Sequence, residues 1–118
     1  MTKHYNLINP ARIQENLMQN SEMIKQFLEL YLVQIPVDLQ ELKKAVQQGN
    51  HNDIANKAHH IKPTMEYIGA IPLRVKFQQL ESAGKDQIDL AEIRADFLII
   101  EQEIYVLLDE ITAYRSCF

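Results

Sequence analysis

A chain of 118 residues with 47% apolar and 24% charged residues, three glycines and four prolines has the length of one domain, residues 1–118, and an ordered globular composition. The formal net charge of −4, with no dense lysine and arginine cluster, excludes a nucleic-acid binder, whose affinity comes from neutralising phosphates. A single cysteine, Cys117, excludes an internal disulfide; without a signal-peptide core or an apolar run long enough to span a bilayer, the chain is expected in the cytoplasm, off the membrane.

Met1–Ile8 has no clear pattern; Tyr5, Leu7 and Ile8 are expected to pack as an extended arm, and His4 reads as an ordinary polar residue. Asn9-Pro10 is a helix start, a capping side chain followed by proline at the first helical position. Ile13, Leu17 and Met18 then give a short amphipathic helix covering one end of the fold. Ser21 can cap the next helix, whose apolar face is Ile24, Phe27, Leu28 and Tyr31. Pro36 is expected to break or kink it. Val37, Leu39, Leu42, Ala45 and Val46 resume the pattern up to Gly49, giving one long bent helix or two nearly collinear ones.

Asn50 or Asn52 caps the third helix, with Asp53 in its first turn, where the dipole favours negative charge. Ile54, Ala58, Ile61, Met65 and Ile68 recur in steps of four and three, the stripe of a helix that buries one side. His59 lies well away from that stripe. Ala55, Lys62 and Glu66, four, three and seven residues from it, are read onto the same outward flank. The pattern presents an exposed nucleophile with an ammonium one turn along and a small residue one turn back. Gly69 suits a left-handed helix end and Pro72 a helix start. Leu73, Phe77 and Leu80 form the next buried face, up to Ala83-Gly84, and Lys85-Asp86-Gln87 reads as a polar turn. Ile93, Phe97, Ile100, Ile104, Leu107 or Leu108, Ile111 and Tyr114 make the longest seam. Short connections between long helices imply antiparallel neighbours. The expected fold is all-α: an antiparallel up-and-down four-helix bundle with a short additional N-terminal helix.

The run from Ala58 to Ala70, with His59, Ile61, Lys62, Ile68, Gly69 and Ala70 in place, resembles the phosphoacceptor signature of histidine-containing phosphotransfer (HPt) domains. The resemblance extends over roughly residues 20–81, through Phe27, Leu39, Leu42 and Ala45 to Leu80-Glu81. It implies that His59 accepts a phosphoryl group through Nε2 from the aspartyl phosphate of a receiver domain and relays it to another receiver's aspartate. Lys62 would steer and hold the phosphoryl oxygens. Receiver domains of hybrid histidine kinases and response regulators are the implied partners, and Ala55, Pro63 and Glu66 the implied docking positions beside His59. The chain has no glycine-rich phosphate loop and no acidic cluster for Mg²⁺. It is therefore expected to bind no cofactor and to have no ATP-dependent activity of its own, the Mg²⁺ being the receiver's. It is expected to act as a monomer.

Two positions depart from the family pattern. Many members have glycine after the lysine; here Pro63 removes a helical N–H and crowds the carbonyl of His59, at a cost of about 3 kcal/mol, so a kink is expected at this face. Several members place a glutamine against the phosphoacceptor ring; counting puts Glu81 there, with Gln78 one turn earlier, and either could support the imidazole. An isolated surface histidine with a nearby lysine is ordinarily a solvated face, and Lys62 and Glu66 could form a simple surface ion pair. A different helix phase would make His60 the nucleophile. His51 reads as a helix-end polar residue, and a metal site from His51, His59 and His60 fails because adjacent histidines diverge on a helix. The alternative from another class is a non-catalytic helical adaptor that docks receiver domains without phosphotransfer.

Overall fold

The structure, a computed structural model, describes residues 5–118; His4 lies outside them. The chain forms α1 (Pro10–Asn16), α2 (Ser21–Gln48), α3 (His51–Tyr67), α4 (Ile71–Lys85) and α5 (Leu90–Arg115), with no strand among the described residues. Helices α2 to α5 pack in a ring in which α3 contacts both α2 and α4, and α5 closes the circle on α2 and α4. Connections 49–50, 68–70 and 86–89 are too short for anything but antiparallel neighbours. This is the expected four-helix bundle, with α1 laid against α3.

Four helices begin on a side chain that satisfies otherwise unpaired N–H groups, and α4, which has no such cap, carries Pro72 in its first turn, where proline has no N–H to satisfy. Asn9, Asn20 and Asn50 accept from the backbone of Arg12, Met23 and Asp53. The cap of α2 is thus Asn20 and not Ser21, which is its first helical residue, and Asn50 rather than Asn52 starts α3. Gly49 and Gly69 take φ values of 69° and 72° after α2 and α3, the left-handed region where a side chain is strained. At Gly69 a Cβ would lie 2.5 Å from the Asn9 side chain, because Asn9 donates its N–H to the Ile68 carbonyl and seats α1 on the α3–α4 corner.

Helix α2 runs unbroken through Pro36, so of the two expected forms it is one long helix and not two collinear ones. Pro36 is exposed, and buried Ile35 and Leu39 on either side hold the helix to the core, so packing outweighs one missing backbone bond. Val37 is exposed and does not join the core face, and Phe27 and Tyr31 are only half-buried. Phe27 instead stacks on Tyr67 of α3, with ring centroids 6.3 Å apart. The α5 seam is buried at every expected position, with Leu107 rather than Leu108 inside. Leu17 is buried beneath α1, but Met18 turns out to solvent in a left-handed conformation after the helix has ended. The arm packs as expected: Ile8 is buried and Tyr5 meets the edge of Tyr114 at 5.6 Å. Its anchor is one the pattern did not show, the Glu110 carboxylate, which accepts from the backbone N–H groups of Asn6, Leu7 and Ile8. No helix among the described residues is long and apolar enough to cross a membrane.

Candidate functional site

The buried stripe of α3 is the expected one, Ile54, Ala58, Ile61, Met65 and Ile68, and it fixes the direction in which the histidines point. The imidazole of His59 is 69% exposed. Its flank does not face open solvent along its whole length: it forms the seam with α4, the most extensive helix pair in the molecule. Ala55, expected as a docking position, is buried in that seam. A Cβ on Gly84 would stand 2.8 Å from the His51 carbonyl and 2.9 Å from the Ala55 nitrogen. The small pair therefore lets the two backbones approach each other, rather than letting a visitor approach His59. A helical angle reports direction only, and α4 occupies that direction.

Close approach at Ala55 and Gly84 brings Glu81 of α4 against His59 and Lys62 of α3. The Glu81 side chain is 4% exposed, and its oxygens face three nitrogens: Lys62 Nζ at 2.6 Å, Lys85 Nζ at 2.9 Å and His59 Nδ1 at 3.2 Å. Lys62 also donates to the Gln78 Oε1 atom, and Gln78 passes the chain on to the Ser82 hydroxyl. Burial pushes the Glu81 carboxyl up, but the bonds from Lys62, Lys85 and His59 prevail and hold it at about 2. An ionised carboxylate can only accept, so the proton of the neutral ring must sit on Nδ1. Nε2 is left with its lone pair directed away from Glu81, and it makes no hydrogen bond among the described residues.

Both residues proposed to support the ring thus belong to the site, in different places: Glu81 touches the imidazole, and Gln78 touches Lys62. Lys85 was hidden in a stretch that reads as a turn; it is the last residue of α4. The signal was present, a glutamate with a lysine four residues on, a pair that meets on a helix surface. Pro63 is exposed on α3 one turn past His59, and α3 continues through it to Tyr67. Glu66 does not pair with Lys62: its carboxylate meets Arg12 at 2.7 Å and Arg74 at 2.9 Å, and ties α1 and α4 to the end of α3. It acts as a strut between the three helices.

The other histidines stand apart. His60 is exposed and turns toward α2, with Nε2 3.6 Å from Asp38, beyond hydrogen-bond length. His51 donates through Nε2 to the Ile88 carbonyl at 2.8 Å and pins the α4–α5 connection. No group of three metal-ligating side chains is gathered among the described residues.

The description Hpt domain fits residues 26–116 of this chain, by comparison with family models. Among solved structures, histidine-containing phosphotransfer protein B (HptB) from Pseudomonas aeruginosa PAO1 is similar, with a TM-score of 0.87 and 16% identity, over 98% of this chain and 99% of that one. At that identity the likeness speaks for the fold. No curated protein matches the chain in sequence.

Proposed function

Because the chain belongs to the Hpt domain family, it is a histidine phosphotransfer protein of phosphorelays, and we propose that His59 is the residue that carries the phosphoryl group. One observation carries the assignment: an exposed imidazole whose Nδ1 is held by a buried, ionised carboxylate, so that Nε2 is the outward nucleophile. Neutral imidazole is a nucleophile near neutral pH without a base to activate it.

The donor is an aspartyl phosphate on a receiver domain. The Nε2 lone pair attacks phosphorus, the bond from phosphorus to the aspartate oxygen breaks, and the carboxylate leaves with the electron pair. The ring keeps its Nδ1 proton and becomes cationic. Glu81 then faces a positive charge where it had faced a dipole, so it favours the phosphorylated ring, as a carboxylate favours the imidazolium in a catalytic triad. Transfer to a second receiver reverses these steps. Phosphoryl transfer proceeds through a loose transition state, so placing charge matters more than covalent assistance. Lys62, held one turn from His59, supplies fixed positive charge beside the path. Mg²⁺ and the remaining groups belong to the receiver, which would dock over His59 and exposed Pro63. One chain provides the whole site, so a monomer suffices.

The test is incubation with a phosphorylated receiver domain, following label on wild-type protein, His59→Gln and His60→Gln. Label is expected on wild type and on His60→Gln, and none on His59→Gln. Equal labelling of wild type and His59→Gln would refute the assignment, and binding of the receiver with no label on any of the three would mark an adaptor.

A further inference from the structure

Two ammonium groups share the Glu81 carboxylate, and they are not equivalent. Lys62 is 17% exposed and is engaged twice, by Glu81 and by Gln78. Lys85 is 64% exposed and, among the described residues, meets only Glu81, at Oε2, the oxygen that also lies 3.2 Å from His59 Nδ1. An ammonium has three N–H donors, so Lys85 has two to spare within one carboxylate's width of the imidazole.

We propose that Lys85 is a second phosphoryl-binding cation of this site, and that it is the cation which moves. The inference rests on His59 as the acceptor. A phosphoryl group brings roughly −1.5 to −2 charges to the rim of a site that already holds a buried anion. One of the two lysines must turn toward it. Moving Lys62 would break a largely buried pair and leave Gln78 without its donor, which is costly. Moving Lys85 exchanges one exposed contact for another at little cost, and Glu81 retains Lys62 and the ring N–H throughout. The two lysines therefore divide the work: Lys62 neutralises the carboxylate, and Lys85 follows the phosphoryl oxygens as they arrive and depart.

Phosphoramidate tests this without a cognate receiver. Nε2 attacks its phosphorus, the phosphorus–nitrogen bond breaks, and ammonia leaves after taking a proton from water. Wild type, Lys85→Ala, Lys85→Arg and His59→Gln are charged in this way, and the decay of phosphohistidine is followed by ³¹P NMR alongside melting curves. Lys85→Ala should lose its phosphoryl group roughly two- to fivefold faster than wild type, Lys85→Arg should restore the lifetime, and neither should change the melting temperature appreciably. Equal decay of wild type and Lys85→Ala would overturn the proposal. So would faster decay in both variants together with earlier melting, the mark of a structural role. Charging of His59→Gln to the wild-type level would remove the His59 assignment itself, and the proposal with it.

Discussion

At Glu81 burial and neighbouring cations act on one carboxyl in opposite senses, and the cations prevail, holding it at about 2 against an ordinary value of 4.5. A carboxyl with a depressed folded value stabilises the protein above its unfolded value, and that stabilisation is lost as the pH falls through the folded one. The stability difference between wild type and Glu81→Gln, measured by urea unfolding, should therefore be largest near neutral pH and shrink between about 4.5 and 2. A difference that grows on acidification would mean the carboxyl is not held ionised. Glu81→Ala, which removes the common partner of Lys62 and His59, should cost about 3 kcal/mol in the same assay at neutral pH. His59, Lys62 and this carboxylate were legible in the sequence because helical spacing and a family signature act over single turns. Ala55 and Lys85 were misread for complementary reasons. The alanine lies on the right face but under a neighbouring helix, and the lysine opens a polar run that reads as a turn although it is itself still the last residue of the helix.

Among the elements, α3 and α4 form one functional unit because their backbones touch at Ala55 and Gly84. Alanine is a better helix former than glycine by about 1 kcal/mol, yet Gly84→Ala should destabilise the fold by about 1–3 kcal/mol, since the new methyl meets the α3 backbone at the His51 carbonyl and the Ala55 nitrogen. Separating the helices should also withdraw Glu81 from His59, so phosphotransfer should fall along with the urea midpoint. A neutral or stabilising Gly84→Ala would show that the seam can give way. Pro63 tests the reverse case. Pro63→Ala restores a helical N–H to the carbonyl of His59 and should raise the melting temperature, with up to about 3 kcal/mol recovered; a lowered one would show that the proline ring itself packs favourably. Caps and apolar stripes made all five helices legible, because each depends on residues within a few turns. Whether Pro36 or Pro63 interrupts a helix depends on the packing around it, which no local pattern records.

Over the whole molecule, 45 × 23 × 20 Å in extent, the N-terminal segment is fastened at two places, the Asn9 to Ile68 backbone bond and the Glu110 carboxylate. Neither follows from periodicity, since each joins residues distant in sequence. Glu110→Ala leaves three backbone N–H groups without their acceptor and should cost about 1–3 kcal/mol in urea unfolding. Phosphoryl transfer to His59 should be unchanged, because Glu110 does not touch that site; a fall in transfer would show that the arm braces it. The bundle thus separates a part that keeps α1 and the arm in place from the part proposed to perform chemistry, and the second consists of two helices. Within those two, the contact between Nδ1 and Glu81 has a further consequence. As the proposed carrier fills and empties, that hydrogen stays between the same two partners, Nδ1 and the Glu81 carboxylate. The ring therefore keeps one orientation whether loaded or vacant, and each visiting receiver meets its outer nitrogen in the same place.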